Sequence, residues 1–312
     1  MARIVLRLGT RKSPLALAQS GLVARALEAA HRGLSVELVP MSTRGDRFSG
    51  ELAPIGGKGL FTRELEAGLL DASLDLAVHS LKDLPVALPA GLRIAAYPER
   101  ADARDALVSE LAEDLAGLPA GGIVLTGSLR RQAQVLAQRP DLRVEAIRGN
   151  VETRIRLWRE RRAAGLILAC AGLERLRWSE LSAHGLDPEA FVPAPGQGIL
   201  ALEVRAGSRA DEACSVLDHA STSRAACAER TLVAEFGGDC TLPLAAWARA
   251  ERGDDELRLT AVLATPDGAR SARGESRGRD PEEVAAACAR AMRDDGAEAV
   301  LAATRGNRAP PD

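Results

Sequence analysis

Residues 4–30 read Ile-Val-Leu-Arg-Leu-Gly-Thr-Arg-Lys-Ser-Pro-Leu-Ala-Leu-Ala-Gln-Ser-Gly-Leu-Val-Ala-Arg-Ala-Leu-Glu-Ala-Ala. Alternation over Ile4 to Leu8 has the two-residue period of a strand. Ser13 is a candidate N-cap, Pro14 suits the first helical position, and Leu15, Ala18, Leu22 and Ala26 recur at helical spacing over Ser13 to Ala30. A strand, a short turn and a capped helix in direct succession open a βαβ unit. The rhythm continues, with strands predicted at Ser35 to Pro40, Leu74 to Val78, Ile123 to Thr126, Val144 to Ile147 and Leu166 to Ala169, most of them followed by helical patterns. The fold class is therefore α/β. Polar connections at 98–105 (Pro-Glu-Arg-Ala-Asp-Ala-Arg-Asp) and 193–198 (Pro-Ala-Pro-Gly-Gln-Gly) bracket a self-contained block. They suggest two α/β lobes with a crevice between them.

After about residue 218 the pattern changes. A helix over Ser221 to Phe236 leads into Gly237-Gly238-Asp239-Cys240, followed by strands over Leu242 to Ala250 and Leu257 to Thr265, a Pro266-Asp267-Gly268 turn, and a helix over Pro281 to Thr304. This reads as a smaller α+β unit with an antiparallel sheet. The expected domains are 1–98 plus 199–217, 99–198, and 218–312.

Composition narrows the function. The chain of 312 residues carries 41 basic and 43 acidic side chains, which excludes a globally cationic nucleic-acid binder and a disordered polyelectrolyte. Aromatics at 3% remove the stacking platforms of a single-strand binder. Only Lys12, Lys58 and Lys82 among the basic residues are lysines, so each is worth locating. No run approaches the roughly 18–20 apolar residues of a membrane span, and the first residues lack a signal-peptide core. Cys170, Cys214, Cys227, Cys240 and Cys288 include no C-x-x-C pair. Neither a disulfide framework nor a zinc site fits, and a reducing cytoplasm is expected.

Candidate chemistry lies at the carboxyl ends of the predicted strands, where open α/β sheets bind ligands. These ends carry Gly9-Thr10-Arg11-Lys12-Ser13, then His79-Ser80-Leu81-Lys82-Asp83, then Thr126-Gly127-Ser128-Leu129-Arg130-Arg131, then Arg148-Gly149-Asn150 with Arg154, then Gly172 with Arg175. Most place small or capping residues and a cation at a helix start, where free amides and the helix dipole favour anions. Taken singly, Arg130 or Arg175 reads first as a solvated helix arginine, and Ser13 or Asn150 as a plain cap. Recurrence at five junctions favours a ligand with several negative groups, which guanidinium groups hold through paired hydrogen bonds.

Other motifs are weaker. Gly56-Gly57-Lys58-Gly59 lacks the Ser or Thr that follows lysine in a phosphate loop, and no G-x-G-x-x-G follows the first strand. His79 and His184 have no metal ligands at suitable spacing and read as structural or supporting residues. Asp83 stands in a cationic loop, either paired with Lys82 or an arginine, or acting as a general acid/base that stabilises a developing cation. Cys240 is either a small buried apolar residue or, in its glycine-rich loop, an accessible nucleophile.

With these residues in view the sequence resembles the porphobilinogen deaminase, or hydroxymethylbilane synthase, family. The resemblance rests on Gly-Thr-Arg-Lys-Ser-Pro-Leu-Ala-Leu-Ala-Gln at 9–19, Thr-Arg-Gly-Asp at 43–46 and Gly-Gly-Lys-Gly-Leu-Phe-Thr-Arg-Glu-Leu-Glu at 56–66. It continues through Ala-Val-His-Ser-Leu-Lys-Asp-Leu-Pro at 77–85, Gly-Ser-Leu-Arg-Arg-Gln at 127–132 and Ile-Arg-Gly-Asn-Val-Glu-Thr-Arg at 147–154. Ala-Gly-Leu-Glu-Arg-Leu at 171–176, Pro-Gly-Gln-Gly at 195–198 and Cys240-Thr-Leu-Pro243 complete it.

The resemblance implies two periplasmic-binding-protein-like α/β lobes and a third α+β domain, with a dipyrromethane cofactor in thioether linkage to Cys240. It implies head-to-tail condensation of four porphobilinogens with loss of ammonia, then hydrolytic release of hydroxymethylbilane. Asp83 would be the catalytic acid. Lys82, Asp83, Ser128, Arg130, Arg131, Arg148 and Gly149 would hold the cofactor. Arg11, Ser13, Arg148, Arg154 and Arg175 would hold substrate carboxylates, with Lys58, Phe61 and Gln197 around the crevice. No metal, nucleic acid or membrane is implied, and a cytoplasmic monomer is expected.

Three positions depart from the family pattern. Asp239 stands before the cysteine in place of Gly or Ser, and its carboxylate disfavours the neighbouring thiolate. Cofactor attachment is therefore expected to be slower than in an Asp239→Gly chain; equal priming rates with preformed tetrapyrrole would contradict this. Pro54 replaces a frequent lysine, and Gly127 replaces a common serine that would add a cofactor contact. Two rival readings remain at this point: a non-catalytic binding protein for an anionic small molecule, and a phosphate enzyme built on Gly56 to Gly59.

Overall fold

The computed structural model describes residues 4–42, 62–237, 242–251 and 256–306. The chain begins β1 (Ile4–Arg11), α1 (Pro14–Ala30), β2 (Leu34–Met41), α2 (Arg63–Leu70), β3 (Leu76–Ser80), a 3-10 turn (Leu81–Asp83) and β4 (Leu92–Ala96). It continues β5 (Asp105–Val108), β6 (Ile123–Leu125), α3 (Leu129–Gln138), β7 (Arg143–Glu145), α4 (Val151–Arg161), β8 (Gly165–Ala169), α5 (Cys170–Arg175) and β9 (Ala183–Gly185). Then come β10 (Leu200–Arg205), α6 (Arg209–Cys214), α7 (Ala220–Glu235), the meander β11 (Leu244–Glu251), β12 (Glu256–Ala264) and β13 (Ser271–Gly278), and helices α8 (Pro281–Asp294) and α9 (Ala297–Gly306). Two compact units result: Met1–Ala101 with Gly198–Ser223, and Asp102–Gln197 with Arg224–Asp312.

The first unit holds a five-stranded sheet in the order β2-β1-β3-β10-β4, parallel from β2 to β3 and antiparallel at β10. Helix α1 starts as its sequence requires: Pro14 occupies the first turn and Ser13 Oγ accepts from Ala16 N at 3.3 Å. Its Val23 and Leu27 join Leu6, Leu8, Leu76 and Leu202 on one face of the sheet. Leu65, Leu69, Leu74 and Leu92 cover the other. Burial on both faces explains the apolar run Leu76-Ala77-Val78 of β3.

The second unit holds two sheets. One is mixed, in the order β7-β6-β8-β5-β9, with Leu166 and Ile155 packed on one face and Leu107 and Phe191 on the other. The other is the antiparallel β11-β12-β13, whose Leu244, Leu259 and Leu263 meet Leu232, Val284 and Met292 of the helices and Phe236 just beyond α7. The expected α/β class with a smaller antiparallel α+β region is the architecture found.

Several details correct the sequence reading. The connection predicted at 98–105 ends inside a strand, because Asp105 opens β5 and is wholly buried. The end of the 193–198 connection is also interior, with Gln197 at 1% exposure. Strand β13 (Ser-Ala-Arg-Gly-Glu-Ser-Arg-Gly) has no large apolar residue, so periodicity could not announce it. It lies beneath α8 because Gly274 allows close approach; a Cβ there would sit 2.5 Å from Met292 Cγ and 2.6 Å from Cys288 O. The helix read over 281–304 divides at Gly296, whose φ of +92° suits glycine. Among the described residues no helix is long and apolar enough to cross a membrane.

Candidate functional site

Parallel pairing of Leu8 with Leu76 and Gly9 with Ala77 aligns the carboxyl ends of β1 and β3. That end of the first unit carries Arg11 and Lys12, the Ser13 cap, and the 3-10 turn with Lys82 and Asp83. Arg11 and Lys82 are half-buried. Asp83 is exposed, and among the described residues its carboxylate has no ion pair or hydrogen bond. The pairing with Lys82 or an arginine that the sequence left open is therefore not formed among those residues. Beneath this turn, Gln19 Nε2 donates to Ser80 Oγ at 3.1 Å, joining α1 to the end of β3. His79 is 2.9 Å from Glu203 Oε2 in the interior, a supporting role for the strand that delivers Asp83. His184 meets Ser182 Oγ at 3.1 Å, and among the described residues no cluster could hold a metal.

In the second unit β6 runs parallel to both β7 and β8, which places a second set of strand ends together. Ser128 caps α3, accepting from Arg131 N, and Asn150 caps α4, accepting from Thr153 N at 2.9 Å. Arg148 is exposed and Arg154 half-buried, its Nε donating to Gly149 O at 2.8 Å. Gly149 has a φ of +110°, and a Cβ there would lie 2.7 Å from Thr153 Cγ2, so no other residue fits this turn without strain. Burial pushes the half-buried Arg175 guanidinium down, with Glu174 opposing.

Arg130 and Arg131 are each only 5% exposed, against the expectation for helix-surface arginines. Arg130 Nη1 donates to Asp105 Oδ2 at 2.7 Å and to Val192 O at 2.8 Å. Arg131 donates to Asp105 Oδ1 from Nε at 2.9 Å and Nη2 at 2.6 Å, and from Nη1 to Ile167 O at 3.0 Å. Gln197 Nε2 donates to Asp105 Oδ1 at 2.9 Å and Ala103 O at 2.8 Å. This places Gln197 inside the arginine cluster, where it supports Asp105. Burial alone would raise the Asp105 carboxyl; the charges of Arg130 and Arg131 outweigh it and hold it well below the usual range. Asp105 was missed because it closed a polar run, and only its place at the head of Asp-Ala-Leu-Val hinted at a strand.

Gly127 answers to sterics. A Cβ on it would come within 2.5 Å of Ile147 O, backbone of the turn that leads to Arg148. A Gly127→Ser chain is therefore expected to be about 1–3 kcal/mol less stable through overpacking. Denaturation midpoints matching wild type would contradict this.

The four described cysteines, Cys170, Cys214, Cys227 and Cys288, are free. Burial pushes the thiols of Cys170, Cys214 and Cys288 up to about 12 and raises that of Cys227. None is a ready nucleophile. Cys240, Lys58 and Phe61, with Asp239 and Pro54, lie outside the described residues.

Comparison with known proteins bears on both units. Residues 6–213 match the family model described as Porphobilinogen deaminase, dipyromethane cofactor binding domain, and residues 223–294 match Porphobilinogen deaminase, C-terminal domain. Among solved structures, a putative methionine-binding lipoprotein from Bacillus subtilis subsp. subtilis str. 168 aligns at 12% identity and a TM-score of 0.39, covering 68% of this chain and 89% of its own. The periplasmic VFT2 domain of Bordetella pertussis BvgS aligns at 14% identity and a TM-score of 0.38, covering 68% of this chain and 85% of its own. The two family models together span most of the sequence, including every described strand end with a candidate cation. This chain belongs to the porphobilinogen deaminase family, transferases of tetrapyrrole biosynthesis that act on porphobilinogen and carry a dipyrromethane cofactor.

Proposed function

We propose that this chain joins four porphobilinogens head to tail, releasing ammonia from each, and frees hydroxymethylbilane by hydrolysis, on a dipyrromethane primer held by Cys240. The observation that carries the reading is the buried cluster of Arg130 and Arg131 on one carboxylate, Asp105, at the strand ends of the second unit, a net cationic group suited to an acidic ligand; in the first unit, Asp83 has no ion pair or hydrogen bond among the described residues. The substrate has an acetate and a propionate, so its condensation product is a polycarboxylate. The donor set has the matching chemistry.

The residues suit the cofactor as well. In the buried cluster two guanidinium groups face one carboxylate, leaving one positive charge in excess. Cofactor carboxylates would be held by Lys82, Ser128, Arg130, Arg131, Arg148 and the Gly149 turn. When bound, the dipyrromethane supplies the pyrrole to which the first substrate is joined. The family resemblance assigns its thioether to Cys240, and burial raises the thiols of the four described cysteines, which suits them less to that attachment.

Asp83 provides the acid–base chemistry. Its carboxyl gives a proton to the departing aminomethyl nitrogen, its carboxylate stabilises the azafulvenium cation left on the substrate, and it then accepts the pyrrole α-proton. Arg11, Ser13, Arg148, Arg154 and Arg175 hold substrate carboxylates, with Lys58 and Phe61 supporting them, while Gln197 supports Asp105 in the buried arginine cluster. Each charge-assisted hydrogen bond contributes about 1.5–3 kcal/mol. The domains are 1–98 plus 199–217, 99–198 and 218–312, and the enzyme acts as a cytoplasmic monomer without nucleic acid or membrane.

The test is product stoichiometry. Purified enzyme given porphobilinogen should release one ammonia for each substrate consumed and form a linear tetrapyrrole. Binding of porphobilinogen without ammonia release would identify a binding protein instead.

A further inference from the structure

Asp105 belongs to none of the sequence motifs, yet it is the anionic centre of the second unit. Its two oxygens receive four hydrogen bonds, from Arg130 Nη1, Arg131 Nε and Nη2, and Gln197 Nε2. All three Arg131 guanidinium nitrogens are engaged, whereas among the described residues Arg130 Nε and Nη2 have no hydrogen bond. Among the described residues the cluster thus has one fixed face and one guanidinium edge without a hydrogen bond.

The same network reaches the C-terminal region. Glu229 on α7 is wholly buried and accepts from Gly196 N at 2.5 Å and Ala248 N at 2.7 Å. Gly196 precedes Gln197, whose amide binds Asp105 and Ala103 O. Val192, which accepts from Arg130, is held from the other side by Gln134, which donates to its carbonyl at 3.0 Å and accepts from its N–H at 2.7 Å. Helix α7, the Pro-Gly-Gln-Gly loop and the paired arginines therefore share one chain of buried hydrogen bonds.

We propose that Asp105 is a positioning residue for cofactor binding, holding Arg130 and Arg131 oriented and leaving the pair one positive charge in excess for a carboxylate of the dipyrromethane to neutralise. This rests on the reading of Arg130 and Arg131 as cofactor-binding residues. Without Asp105 two buried like charges would face each other, each guanidinium held only by one backbone carbonyl, Val192 O for Arg130 and Ile167 O for Arg131. With a second carboxylate the excess charge would vanish. One anion between two cations orients both and still favours an acidic ligand.

The test compares apo and holo forms of wild type, Asp105→Asn, Gln197→Met and Arg130→Leu. Cofactor occupancy is read by intact mass after priming with preformed tetrapyrrole, and the rise in melting temperature on cofactor attachment is read by calorimetry. In Asp105→Asn the priming rate should fall at least tenfold and the thermal rise should shrink; Gln197→Met should lie between it and wild type. A purely structural Asp105 would lower apo and holo melting temperatures together and leave their difference unchanged, which would overturn the proposal. If Asp105→Asn does not fold, Gln197→Met decides, since a wild-type priming rate and thermal rise in that variant would also overturn it. Arg130→Leu separates the two levels of the argument. Full occupancy there would remove the underlying reading, while loss there with normal Asp105→Asn priming would remove only the positioning role.

Discussion

Asp83→Asn should retain the covalent cofactor and release ammonia from porphobilinogen about 10²–10⁴-fold more slowly than wild type. Asparagine keeps the shape of the side chain and removes the proton-transfer group and the negative charge. Asp83 is exposed and lacks an ion pair or hydrogen bond among the described residues, so its removal costs the fold little. Surface changes of this kind fall within about 0.5 kcal/mol. Activity and stability are therefore separable at this position. The measurement is single-turnover ammonia release by chains shown by mass to carry the cofactor. Turnover close to wild type would remove Asp83 from the mechanism.

Arg131→Leu should have the largest effect on stability. Arg131 is 5% exposed, and its guanidinium makes two of the four hydrogen bonds to the Asp105 carboxylate. The substitution leaves Ile167 O without its donor and weakens the compensation of a buried charge. Removing one partner of such a cluster costs about 3–5 kcal/mol, a large part of the roughly 5–15 kcal/mol that holds a folded protein together.

The pH dependence follows with a definite sign. In wild type the folded Asp105 carboxyl is held below its unfolded value. Its contribution is complete above the unfolded value, near 4, and is lost as pH falls through the folded value. With Arg131 gone the folded value moves up and the window of added stability narrows. Urea midpoints at neutral pH and across the acid range should show a lower plateau and a shallower acid-side decline. An unchanged midpoint and an unchanged decline would contradict the electrostatic account of the cluster.

Elements whose apolar period matched their structure were readable from sequence. Helix α1 announced itself through Ser13, Pro14 and its apolar stripe, β1 through alternation, and β3, β6 and β8 through short apolar runs. The strands that escaped lacked that signal. Strand β10 interrupts its apolar residues with the buried Glu203 and pairs antiparallel with β3 and β4; β13 is held by small residues under a helix. At the site, caps and strand-end cations were legible because their position relative to a helix start is local. Asp105 and Glu229 were not, because their partners lie far away in sequence and meet only in the folded second unit. Local chemistry showed which residues could bind an anion, and burial showed that two of them share a carboxylate.

The most direct measurement is the intact mass of the purified holo protein beside that of Cys240→Ala, with Ehrlich's reagent in acid as an optical check. The account predicts a wild-type mass exceeding the unmodified chain by one dipyrromethane and a coloured reaction, and an unmodified, colourless Cys240→Ala chain. A properly expressed wild-type protein with the bare chain mass, or a Cys240→Ala protein that still carries the group, would contradict it.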